Sequence, residues 1–155
     1  MITAPAIVTL QRASVRPLLS IDAAKAILNR DEDAILALIE SGRIAWAFDI
    51  RSPGAARSCV RIYRDSVFNL LPTTFSATGP RATLQDVIGE VLPKPRGESI
   101  ASPSLAIRLN CSSTHVHQLA RAGSFHFGRP KAGQTAPVEV DRASVETFLT
   151  RAVLS

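Results

Sequence analysis

The sequence predicts an α+β, mainly helical chain built from two tandem units, each a pair of short helices around a tight turn, then a two-stranded hairpin and a closing helix. Three observations predict it. In Leu105 to Gly123, Ser112 is a good N-cap, Val116, Leu119 and Ala120 recur at helical spacing, and Gly123 suits the left-handed residue that ends a helix. Shifted back by 81 residues, Leu105 to Phe125 lies over Ala24 to Ile44, with Leu109, Asn110, Leu119 and Gly123 falling on Leu28, Asn29, Leu38 and Gly42. Matched positions do matched jobs: end of the first helix, turn, core of the second helix, and terminal glycine. After each glycine come an alternating apolar run, a turn containing Pro and Gly, and a return strand into a short helix, Asp65 to Leu71 in one copy and Asp141 to Leu149 in the other.

Both copies fit a pattern that runs from a Ser-led first helix through a second helix of the form S-x-x-x-[VI]-x-x-[LI]-[IA]-x-x-G to a wing and a closing [SV]-x-x-[FL]-[LI] helix. The fit covers Ser20 to Leu71 and about Ser102 to Leu149, roughly two thirds of the chain. In this the chain resembles the excisionase and MerR-like group of winged helix-turn-helix DNA-binding domains. The resemblance implies an N-terminal arm at 1–19, one winged domain at 20–71, a connector at 72–101 and a second winged domain at 102–155. It further implies double-stranded DNA as partner, no cofactor, and a role as transcriptional regulator or as excisionase-like recombination accessory factor of a mobile element. A recombinase or a transcription protein is then the second partner.

Composition agrees with this without requiring it. The 155 residues suit one compact domain or two very small ones, and domains of about 50 residues are marginal unless they pack together or dimerise. A formal charge of +5 and a pI near 10.0 favour a polyanionic partner. No apolar run is long enough to span a bilayer and there is no basic-then-apolar leader, so a cytoplasmic, nucleoid-associated protein with no membrane partner is expected. Cys59 opens a wing strand and Cys111 sits in the inter-helix turn; with no C-x-x-C pair, both are read as structural.

Along the chain, the arm holds Ile7, Val8 and Leu10 ahead of Arg12 and Arg16, which suits either an added strand or a docking arm. Ser20 caps the first helix and Asp31 the second, whose core face is Ile35, Leu38 and Ile39. The first wing is expected to carry Ile44, Trp46, Phe48 and Ile50 on one face, to turn through residues 51–57, and to return with Val60 and Ile62 on the apolar side. Arg51, Arg57, Arg61 and Arg64 then give it a basic tip and outer face for phosphate contact. In the connector, Leu84, Val87, Ile88, Val91 and Leu92 recur at helical spacing between Thr83 and Pro93, predicting a helix at about 84–92. Its apolar stripe is expected to pack on a winged domain or to pair with its copy in a dimer. In the second wing, Arg129 and Lys131 lie at the tip; Gly128-Arg129-Pro130 matches the centre of an AT-hook, and a basic turn describes it as well.

The residues offer no active site, so an enzyme is not expected. His115 and His117 project roughly 160° apart on a helix and cannot share a metal. Asp31, Glu32 and Asp33 lack the carboxylate spacing of a cation loop, and no phosphate loop or nucleophile motif occurs. Tyr63 is read as packing in a wing strand.

The two second helices differ sharply on their outward faces. In the second unit that face is Ser113, Thr114, His117, Gln118 and Arg121, donors and acceptors suited to base edges and phosphates, and no acidic residue occurs between Ser99 and Val138. At matching positions the first unit has Glu32, Asp33, Leu36, Ala37 and Glu40, carboxylates that phosphate would repel around a dry patch. Base reading is therefore expected of the second helix alone. The first becomes a protein-interaction candidate, with Leu84, Val87, Ile88 and Val91 as further candidates for self-association into a homo-oligomer, at least on DNA. The alternative reading of the whole chain is a protein-interaction module using that acidic, apolar helix, with DNA binding secondary.

Overall fold

The computed structural model describes residues 16–71, 82–93, 98–128 and 138–154, which form an α+β structure about half helical. The order is β1 (Leu18–Ser20), α1 (Ile21–Leu28), α2 (Glu32–Glu40), β2 (Ala47–Asp49), β3 (Val60–Tyr63), α3 (Arg64–Phe68), α4 (Leu84–Val91), β4 (Ser99–Ala101), α5 (Ser102–Leu109), α6 (Ser113–Arg121), β5 (Glu139–Asp141), α7 (Arg142–Ala152) and β6 (Val153–Leu154). Strand β1 and helices α1 and α2 recur as β4, α5 and α6 with every boundary offset by 81 residues. The backbone repeats as well. Asn29 and Asn110 sit in the left-handed region at φ 51° and 54°, and Gly42 and Gly123 at φ 74° and 82°. Asp31 and Ser112 cap α2 and α6, each accepting the N–H three residues on. The Arg64 and Arg142 N–H groups open α3 and α7 by donating 2.9 Å bonds to Pro17 and Glu98, at the mouths of β1 and β4.

The sheet departs from the expected wing. It is antiparallel in the order β1-β3-β2-β6, so the far end of the chain adds a strand to the first unit, with Phe48 opposite Val153 and Ala47 opposite Leu154. Both faces are buried. Leu19, Ala47, Val60 and Ile62 face a core made with Ala24, Ile27, Ile35 and Ile39 of the first unit. Leu18, Phe48, Ile50 and Tyr63 face a second core that holds Leu105, Leu109, Val116, Leu119, Phe125, Val140, Val145 and Leu149 of the second unit. Thus the reading that set Ile44, Trp46, Phe48 and Ile50 on one face is corrected: Ile44 belongs to the first core, Phe48 and Ile50 to the second. The error came from treating the hairpin as half solvated, whereas it is a central sheet whose two faces both repel water.

Two independent winged domains are not what the described residues form, because every buried apolar residue of the second unit lies in the shared core. Helix α4 seals that seam. Thr83 and Asp86 form a reciprocal cap, Trp46 Nε1 donates to the Ala82 carbonyl at 3.1 Å, and Arg142 Nη1 donates to the Pro93 carbonyl at 2.6 Å. Val87, Ile88 and Val91 are 0–2% exposed and Leu84 is half-buried, so the stripe is spent inside the chain and those four residues are corrected as self-association candidates. The boundaries move too: Leu18–Ser20 is part of the sheet rather than of an arm, and Ser99–Ala101 pairs with β5 rather than belonging to the connector. The rest of the arm, 1–15, and residues 72–81 and 94–97 of the connector lie outside the described residues.

Candidate nucleic-acid interface

Helix α6 owes its orientation to three buried side chains, Val116, Leu119 and Ala120, which lock one stripe into the shared core. The opposite stripe is left to solvent. Ser113, Thr114, Gln118 and Arg121 are exposed, and among the described residues none of their side chains has a hydrogen-bond or ionic partner. No acidic residue stands in the first turn of α6, so the positive end of its dipole is uncompensated. Helix α2 carries Glu32 and Asp33 at the same place, which cancels that end.

The two histidines of α6 fix its flanks. His115 Nε2 lies 2.6 Å from the Ile50 carbonyl, and since a carbonyl only accepts, His115 donates across the seam to the first unit's hairpin. On the other side His117 Nε2 lies 3.2 Å from Ser102 Oγ, whose own proton goes to the Val138 carbonyl, so His117 is the donor there. His117 was expected to read a base; it is half-buried, and only its remaining ring nitrogen is uncommitted. Helix α6 is therefore held on one flank by the first unit's hairpin and on the other by the start of α5.

The turn before α6 is held by two arginines, of which Arg61 was expected to meet phosphate. Arg61 Nε donates to the Asn110 carbonyl at 2.9 Å and its Nη1 to the Val60 carbonyl at 3.0 Å, while Arg16 donates to the Asn110 side chain. Arg61 is thus corrected from a backbone contact to a seam residue. The reason is its parity, since Arg61 shares a sheet face with Phe48, which packs against the second unit. Arg64 is also drawn inward, with Nε 3.1 Å from Asp65. Of the first hairpin's arginines, Arg57 is exposed, and Arg51 is half exposed beside Asp49 at 3.3 Å. Arg129 and Lys131, with the rest of the Gly128-Arg129-Pro130 turn beyond its glycine, lie outside the described residues.

At the matching site of the first unit, Glu32, Asp33, Ala37 and Glu40 are exposed and Leu36 is half-buried against the first core. The acidic face is therefore real, but its dry patch is smaller than the sequence suggests. Phe127 and Val138, read from the sequence as strand residues of the second wing, stay 46% and 43% exposed on either side of residues 129–137, which lie outside the described ones. Asn110 and Ile50 were missed as seam residues, although apolar residues at both parities of β3, Ile62 and Tyr63, carry the signal of a sheet buried on two sides.

Burial pushes the Cys111 thiol up to about 11, with Arg61 opposing and Cys59 adding to the shift. Both thiols are free and half-buried against the shared core, which suits packing rather than reactivity. Among the described residues no three His, Cys, Asp or Glu side chains are grouped to hold a metal, and no helix is long and apolar enough to cross a membrane. No family model, curated protein or solved structure matches the chain.

Proposed function

We propose that the chain is a sequence-specific double-stranded DNA-binding protein of tandem winged helix-turn-helix build in which only the second unit reads bases. The observation that carries the reading is the free face of α6: Thr114, Gln118 and Arg121 are exposed and unbonded, on a helix anchored from behind and on both flanks. Such a face matches a major groove, where Arg reads guanine and Gln reads adenine through paired hydrogen bonds. Helix α6 enters the groove, Arg51 and Arg57 in the first hairpin meet phosphate, and Arg129 and Lys131 do so in the second. One module covers about 600 to 1,000 Å² of DNA, so a full site holds two or more copies. The biological role is that of a transcriptional regulator or an excisionase-like recombination accessory factor.

The test is the salt dependence of binding to the chain's own upstream duplex. Phosphate-driven binding gives a log-log slope of several units, about 0.9 per contact. A flat dependence, or no shift of any duplex at 50 mM salt, rejects the reading. One observation favours a second reading, in which the exposed acids Glu32, Asp33 and Glu40 on α2 bind a basic protein surface. That reading predicts capture of the partner unaffected by changes on α6.

A further inference from the structure

A cleft of about 580 Å³ opens where the first hairpin's turn meets the end of α7 and β6. We propose that it binds a small monocarboxylate with a flat apolar body. The site does not depend on the DNA reading, because it lies on the seam and uses no residue of α6.

Each part of that ligand has its counterpart in the walls. Pro53 and Ala55 of the turn face Phe148, Val153 and Leu154, and the last three stay half-buried, leaving apolar surface open. Phe148 is held edge-on to Phe125 at a centroid distance of 5.5 Å, so one side of its ring is spoken for by the core. Seams between packed units are where concave, mostly apolar sites with a few polar groups recur, and this volume falls in their range of about 300 to 1,000 Å³.

The charge at the cleft fixes the sign and the valence of the ligand. Asp49 is already satisfied: it accepts the Arg51 and Cys59 N–H groups at 3.1 and 3.0 Å and lies 3.3 Å from Arg51 Nε. Arg151, on the opposite wall, is exposed and among the described residues has no ionic partner, so its guanidinium is the free cation. A guanidinium matches a carboxylate through two parallel hydrogen bonds. A phosphate dianion is disfavoured, because with Asp49 paired to Arg51 the walls offer one free positive charge and the second negative charge stays unmatched.

The experiment titrates the full chain with 2-naphthoate, 2-naphthamide and 2-naphthyl phosphate, following amide chemical shifts. Naphthoate is expected to move Ser52 to Ala55, Ser124 and Phe148 to Leu154 together, and to bind at least about tenfold tighter than the amide, the value of one charge-assisted contact. Arg151→Gln should remove that advantage while Arg151→Lys keeps most of it, and spectra unchanged elsewhere certify the fold of both variants. Equal binding of acid and amide, tighter binding of the phosphate, shifts away from these residues, or none at millimolar ligand would each overturn the proposal.

Discussion

The imidazole of His115 at the start of α6 donates a hydrogen bond to the main-chain carbonyl of Ile50, 2.6 Å away in the hairpin of the other unit. The carbonyl belongs to a buried residue, and Arg61 and Arg16 hold the adjacent turn residue Asn110 from the same side. Helix α6 is therefore positioned by the first unit. His115→Ala leaves the Ile50 carbonyl short of a partner, and should cost about 1 to 3 kcal/mol of stability in urea denaturation. Arg61→Met should likewise lower stability, rather than weaken all duplexes alike as a phosphate contact would. A change in DNA affinity with unaltered stability would show that these two residues face outward.

A shared core predicts one unfolding event. Trp46, the sole tryptophan, packs against the shared core and reports on the seam, and far-ultraviolet dichroism reports on helices in both units. Their urea transitions should coincide, as two-state behaviour requires. Ending the chain at Ala152 removes β6 from its pairing with β2 and should shift both signals together. Two separated transitions would mean that each unit folds alone.

Much of this was legible in the residues. The 81-residue repeat, the caps Asp31 and Ser112, the turn at Asn110, the left-handed Gly123 and the helix at 84–91 follow from local chemistry, and local chemistry is what a sequence displays. What could not be read was which surfaces meet. Tyr63 marks the face carrying Arg61 as partly apolar, but nothing within Val60 to Tyr63 says that the residues covering it lie fifty positions away, and an arginine in a strand reads as solvent-facing. The same holds for β6, two residues whose only support is a strand a hundred positions earlier. Of the α6 residues expected to face outward, Ser113, Thr114, Gln118 and Arg121 are exposed; His117 is half-buried, and its bond to Ser102 depends on how α5 lies against α6.

Two groups tie stability to high pH. Burial, then the hydrogen bond to Glu90, holds the Tyr63 phenol well above its ordinary range, and burial raises the Cys111 thiol from 9.0 to about 11. Both folded-state values lie above the unfolded ones, so their contribution is complete below pH about 9 and declines as pH rises beyond it. Tyr63 is the only tyrosine, so phenolate absorbance should fail to develop at the usual pH of about 10 and appear with unfolding. At pH about 8, Cys111 should alkylate roughly a hundredfold more slowly than a thiol of unshifted pKa, since its thiolate fraction falls by that factor. Ordinary titration of Tyr63 in the folded chain would contradict the packing of α4 on β3.

Neutralising α2 separates the two helices. Glu32→Gln, Asp33→Asn and Glu40→Gln together remove repulsion and no base contact, so site preference should persist while affinity holds or rises. Arg57→Ala should weaken every duplex alike and lower the salt slope by about one unit. Electrophoretic shifts on specific and scrambled duplexes check both. Loss of site preference in the triple variant would move the reading head to the first unit.

The most direct test of base reading by α6 is selection of bound duplexes from a random pool, run in parallel with the unaltered chain, Gln118→Ala and Arg121→Ala. The unaltered chain should enrich a defined motif, and each substitution should erase preference at its own position at a cost of about 1 to 3 kcal/mol, leaving nonspecific binding nearly intact. No enriched motif, or one that both substitutions leave unchanged, would contradict it.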